Sequence, residues 1–106
     1  MAGEPKPPDP NHASLFAIGK ALAAWRPAAA LTVNQATLRV VKFEGHFSEF
    51  HVHEIDECYV VLEGELVVEI QGQPSTLLAP GEAYVVRAGT THRPYAMPRA
   101  LVLLVT

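Results

Sequence analysis

His51 and His53 stand two residues apart in a stretch that reads as a strand, so their imidazoles point to the same side of a sheet with Cβ atoms about 7 Å apart. Glu57 follows four residues later, past the polar bend Glu54-Ile55-Asp56, where the chain can fold back and set a carboxylate beside the two rings. His92 lies far along the sequence, yet a barrel can bring its strand alongside. Three imidazoles and one carboxylate would then converge inside a cavity walled by strands. That donor set suits a divalent first-row metal: neutral imidazole favours iron, nickel, copper and zinc, and the hard oxygen of Glu57 also admits manganese. Around a six-coordinate ion, four protein donors leave room for water or substrate. Such open positions permit polarisation of a bound oxygen, activation of water or, with a redox-active metal, dioxygen chemistry.

A single strand histidine is usually just hydrogen-bonded or exposed, and the joint spacing is what carries the metal reading. If Glu57 faces the cavity, alternation puts Tyr59 and Val61 beside it and turns Cys58, Val60 and Leu62 away. Tyr59 is thus the candidate catalytic residue, able to donate its hydroxyl or move a proton, against the blander use as a core tyrosine. Cys58 reads as a small buried hydrophobe and not as a nucleophile. Asp56 points away from Glu57, so the two are no acid and base pair; it ends the bend or hydrogen-bonds an imidazole N–H. Arg87, Arg93 and Tyr95 lie near His92 in sequence and are candidates for the cavity mouth, although surface solvation is their commoner use. His46 lies at a turn, and His12 lies beside the tail.

These residues need a scaffold, and the chain from Ala30 onward supplies short runs of Val, Leu, Tyr and Phe cut every eight to twelve residues by turn formers. The expected strands are Leu31–Val33, Thr37–Phe43, Glu49–His53, Cys58–Leu62, Glu65–Gln71, Ser75–Leu78, Ala83–Val86, His92–Ala96 and Leu101–Val105. The breaks fall at Glu44-Gly45, Glu63-Gly64, Gly72-Gln73-Pro74, Pro80-Gly81, Ala88-Gly89 and Pro98. This cadence reads as an all-β antiparallel sandwich or barrel. Before it, Ser14 is an N-cap, and Leu15, Ile18, Leu22 and Trp25 recur at helical spacing until Pro27 stops the helix. That stripe is expected to pack on the barrel or on a second subunit. Four prolines in the first ten residues mark residues 1–13 as a flexible tail and residues 14–106 as a single domain.

At 106 residues, 49% of them hydrophobic and 18% charged, the chain is long enough for one globular core and too short for two. A net charge of −3 without a basic block disfavours nucleic acid and anionic membrane as partners. The lone Cys58 allows no internal disulfide and fits a cytoplasmic setting. Lys20, Arg26 and Pro27 interrupt the most apolar early stretch, which argues against a membrane span, and no basic lead-in suggests a secretory signal.

The string Gly45, His51, His53, Glu57, Gly64 resembles the first motif of the cupin superfamily throughout. Gly81, Gly89 and His92 resemble its second motif, in which Arg87 stands where the family usually has proline and Ala96 where it usually has asparagine. Neither departure removes a donor. More narrowly, Trp25-Arg26-Pro27, Asn34, Gly45-His46-Phe47, Pro80-Gly81-Glu82 and His92-Arg93-Pro94 resemble small single-domain cupins of the mannose-6-phosphate-isomerase-like kind. The resemblance spans about Leu31 to Val105. It implies a double-stranded β-helix (jelly-roll) barrel, one divalent metal on His51, His53, Glu57 and His92, and a homodimer. Exposed edge strands and the apolar helix face favour the same pairing.

Three functions remain open on the sequence. The chain is an enzyme acting on a small polar metabolite, as a metal-dependent isomerase or an iron-dependent dioxygenase; or it is a non-catalytic module that binds or senses a small ligand or the metal; or it is a structural barrel with an empty site. The cavity lining separates the first two, because chemistry needs an acid or base near the open positions and a binder does not.

Overall fold

The computed structural model describes residues 9–46 and 49–106. One helix, α1 (Leu15–Ala21), precedes seven strands: β1 (Ala28–Val33), β2 (Ala36–His46), β3 (Glu57–Gly64), β4 (Leu66–Ile70), β5 (Thr76–Leu78), β6 (Ala83–Val86) and β7 (His92–Val105). The strands pair antiparallel in the order β1-β2-β7-β3-β6, and β4 joins β7 to β5. The expected tail lies mostly outside the described residues, as does Phe47.

Strict alternation builds the core. In β3 and β4 every second residue is buried, and Tyr59, Val61, Leu66, Val68 and Ile70 meet Val41, Phe43, Val86 and Val102 inside the barrel. The strand β7 closes this barrel by serving both walls. Its first residues, His92 to Tyr95, pair with β4, and its last, Leu101 to Val105, lie between β2 and β3. Pro98 was expected to end a strand there. Instead the register slips between Glu44↔Arg99 and Gly45↔Ala96, so Met97 and Pro98 form a bulge at which the strand bends without ending. A proline has no N–H to lose from the ladder, which is why it fits such a position.

Gly64 also has a steric reason. Its φ is +75°, and a Cβ there would run into the Arg99 carbonyl oxygen, so the glycine lets β3 and β7 approach after the slip.

Two further expectations need correction. The segment Glu49–His53 is no strand: among the described residues its backbone pairs with the sheet only at a bridge between His51 and His92, so the period-2 pattern there did not become a ladder. The helix runs only to Ala21, with Leu22 already extended, and Trp25 sits beyond it at φ +67°. The cause is tertiary. Trp25 N–H donates to the Lys42 carbonyl at 2.8 Å, its indole Nε1 donates to the Glu44 carbonyl at 2.9 Å, and Lys42 Nζ donates to the Leu22 carbonyl at 3.1 Å. These bonds stitch the segment after α1 to β2 and carry Trp25 to Phe43, the ring centroids 4.9 Å apart. The N-cap behaves as expected, Ser14 Oγ accepting from Ala17 N–H at 3.4 Å. Among the described residues no helix is long and apolar enough to cross a membrane.

Candidate metal centre

Glu57 opens β3 and His92 opens β7, so sheet pairing fixes where both side chains start. His51 is held to β7 by reciprocal bonds with His92, each backbone N–H donating to the other's carbonyl at 2.9 Å. The His53 carbonyl accepts from Gly89 N–H at 2.9 Å. Gly89 has φ +81°, the turn conformation that aims this donor. The two segments that contribute donors are thereby tied to each other through main chain.

One donor atom from each of His51, His53, Glu57 and His92 lies within 4.8 Å of the others. The ring centroids are 4.8 Å apart for His51 and His53, 4.4 Å for His51 and His92, and 5.6 Å for His53 and His92. Glu57 Oε1 stands 3.3 Å from His53 Nε2 and 3.4 Å from His92 Nε2. The structure thus brings together all four residues named from the sequence.

Two of these atoms test whether a cation fits. Glu57 Oε1 and His92 Nε2 are sealed from solvent, and neither has a hydrogen-bond partner, because the 3.4 Å contact between them is too poorly aligned to be one. An orphaned buried polar atom costs about 1–3 kcal/mol, and one cation bound between these two would satisfy both. His92 is prepared for that role. Its Nδ1 donates to the Thr90 carbonyl at 2.8 Å, which leaves Nε2 as the lone pair facing the other donors. His51 Nδ1 faces the Glu49 carbonyl at 3.5 Å, a looser version of the same arrangement.

The charges agree with this fit. Burial pushes the Glu57 carboxyl up, but the His92 contact and the surrounding imidazoles outweigh it and hold the group below its ordinary value. Burial and then the neighbouring His92 lower His51, which keeps its imidazole neutral. Burial lowers His92, while Glu57 and the Thr90 carbonyl more than reverse it, so this ring sits above its ordinary value. One carboxylate among three imidazoles is the donor chemistry of a divalent ion.

A cavity of about 150 Å³ adjoins the donors, lined by His51 and Glu57 and otherwise by Trp25, Pro27, Val41, Phe43, Tyr59, Pro94 and Leu104. Tyr59 lies there, buried, as alternation from Glu57 requires. Burial pushes its phenol well above the ordinary range, and the Glu57 charge adds to the shift. Tyr59 is therefore a hydrogen-bond donor at neutral pH and not a base. A wider groove of about 570 Å³, lined partly by Phe16, Lys20, Lys42 and Arg99, shares no residue with the donor set.

The remaining candidates lie outside this cavity. Asp56 bonds no imidazole; it accepts from Ala88 N–H at 2.8 Å and from Arg87 at 3.1 Å, and these bonds hold its carboxyl below the ordinary value. Arg87 is exposed and committed to that ion pair. Arg93 turns away from His92, pairs with Glu69 and lies over Phe50, 4.3 Å from the ring centre. Tyr95 stacks on His46 at 4.4 Å between centroids, and His12 is exposed. Cys58 is half-buried on the outer side of β3. Sequence reasoning gave Trp25 only a packing role on the helix. The signal that marked it was its place immediately before Arg26-Pro27, where no helix can continue.

A β-barrel with three imidazoles and a carboxylate gathered from two separate segments defines the class of protein. Residues 39–105 match the Cupin domain family, and the chain belongs to it. It is 30% identical over 73 residues to the uncharacterized protein YdbB of Bacillus subtilis (strain 168), a match covering 69% of this chain and 65% of that relative's length. The crystal structure of a cupin-2 domain containing protein from Shewanella frigidimarina NCIMB 400 superposes with a TM-score of 0.79 at 28% identity, covering 86% of this chain and 88% of that one. Hydroquinone 1,2-dioxygenase from Sphingomonas sp. TTNP3, solved with 4-hydroxybenzoate bound, shares the fold at 17% identity and a TM-score of 0.73, over 78% of this chain and 27% of the enzyme.

Proposed function

We propose that this cupin holds one divalent cation through His51, His53, Glu57 and His92 and presents it to a small molecule in the adjoining cavity. The observation that carries this reading is the pair of orphaned buried atoms, Glu57 Oε1 and His92 Nε2, at the point where the other two imidazoles converge. When bound, the cation supplies Lewis acidity and, if it is iron, oxygen chemistry. The residues of the chain do the rest. Thr90 orients His92, Glu57 would supply the compensating negative charge, the apolar wall would pack against the small molecule, and Tyr59 would offer a hydrogen-bond donor to an oxygen of that molecule.

A metal-dependent isomerase needs a protein group that moves a proton. Among the described lining residues the side chains are apolar, or are donors to the ion, or are Tyr59, which stays protonated. The lining thus favours reversible binding, or an iron-dependent dioxygenase in which the metal carries the chemistry, over isomerisation. The shared fold with hydroquinone 1,2-dioxygenase supports the oxygenase form.

Elemental analysis of protein purified without added metal, beside His51→Ala and His92→Ala, tests the reading. The expected result is one ion per chain, lost in both variants; loss in His51→Ala alone would remove His92 from the set. Oxygen uptake by iron-loaded protein against thiols, diols and keto acids then separates oxygenase from binder.

A cytoplasmic homodimer belongs to the same proposal. Leu38, Val105, Cys58 and Val85 form a cross-strand row on the outer face of the sheet, and Val60 and Leu103 extend it. An apolar outer face of this kind supports pairing with a second copy. Light scattering should give twice the chain mass, and a charged substitution at Val85, itself exposed, should halve it.

A further inference from the structure

We propose that the cavity beside the donors takes a single aromatic ring carrying one or two hydroxyl groups, a phenol or catechol, with the hydroxyl end toward the donors. The inference rests on the metal reading above and names the ligand class of that same site.

Three observations carry it. The first is size: a cavity of about 150 Å³ is a volume that admits one benzene ring. The second is the wall. Trp25, Phe43 and Tyr59 form a chain of edge-on rings, with centroids 4.9 Å and 6.1 Å apart and interplanar angles of 60° and 72°. Pro27, Val41 and Leu104 complete an apolar surface. Aromatic rings pack best on one another in such tilted arrangements.

The third observation is where polarity enters. Apart from the Trp25 indole N–H, which is committed to the Glu44 carbonyl, the polar side-chain atoms of the described lining belong to His51, Glu57 and Tyr59, and His51 and Glu57 are members of the donor set. Tyr59 is 3% exposed, and its hydroxyl makes no hydrogen bond to another described residue. A ligand oxygen reaching the donors would give it a partner. A sugar phosphate fits less well: its ring of hydroxyls would be left unpaired against Trp25, Phe43 and Leu104. The small polar metabolite expected from the sequence is therefore narrowed to one whose polarity sits at one end.

Trp25 is the only tryptophan of the chain and lines the cavity, so its fluorescence reports occupancy without any turnover. Zinc-loaded protein, with zinc measured by elemental analysis before and after, is titrated with phenol, catechol, cyclohexanol and glucose 6-phosphate. Saturable quenching by phenol and catechol is expected, about tenfold tighter than by cyclohexanol, with none by the sugar phosphate. Leu104→Phe, which fills the cavity, should abolish the response, and Tyr59→Phe should weaken phenol binding about tenfold, while both variants keep one zinc per chain. If Leu104→Phe does not fold, Tyr59→Phe and the cyclohexanol comparison carry the test. Stoichiometric zinc with no phenol response, equal binding of cyclohexanol, or binding unchanged in Tyr59→Phe would overturn this inference and leave the metal reading standing. Failure to retain zinc at all would overturn the metal reading itself.

Discussion

The four donors come from two kinds of backbone. Glu57 and His92 each open a strand, and both are buried; His92 is 1% exposed. His51 and His53 sit on an irregular segment that meets the sheet at one bridge, and the His53 side chain is 42% exposed. The difference separates two tasks. The sheet sets the floor of the site through ladders that exist for the sake of the fold, whereas the loop must be tethered for the sake of the site. Its tethers are the paired bonds between His51 and His92, the Gly89 N–H on the His53 carbonyl, and Asp56 on Ala88. Stability should follow the first pair of donors, and metal affinity should depend on both.

The sharpest way to break that comparison is His92→Ala. It should lose metal entirely and also cost about 2–4 kcal/mol in urea unfolding of the metal-free chain, since it empties a buried position. His53→Ala should lose most metal affinity yet shift unfolding by no more than about 0.5 kcal/mol, because the ring is half in solvent. If the two variants are equally destabilised, the division between floor and loop is wrong.

Asp56→Ala removes no donor but frees the loop from Ala88, and zinc affinity measured by competition with a chelator should fall about tenfold. Arg87→Ala should do least. Its ion pair with Asp56 is exposed, such pairs contribute about 0–1 kcal/mol, and Asp56 keeps its bond to the Ala88 backbone. A loss of metal in Arg87→Ala as large as in Asp56→Ala would move the tether from the main chain to the ion pair.

The donors were legible in the sequence because their spacing is chemical: two histidines and a glutamate within seven residues, bounded by Gly45 and Gly64. The all-β cadence was legible because alternation and turn formers are local signals. What escaped depended on contacts between distant residues. Phe50 and Val52 alternate with His51 and His53 as a strand would, yet among the described residues no strand pairs with this segment beyond the His51 bridge. Pro98 looks like a terminator until the slip opposite Glu44 absorbs it. Trp25 keeps helical spacing from Leu22, but hydrogen bonds to β2 pull it out of the helix and into the cavity wall. The tryptophan of the aromatic lining was unreadable for that reason, since of the three rings Trp25, Phe43 and Tyr59 it alone arrives from before the barrel begins.

The central claim is that one cation sits among all four donors. Anomalous diffraction at the cobalt edge, from crystals grown with cobalt(II), tests it most directly. The account predicts a single peak about 2.0–2.2 Å from a nitrogen of His51, His53 and His92 and from an oxygen of Glu57. A peak bound elsewhere, or no peak beside a Glu57 carboxylate turned to solvent, would contradict it.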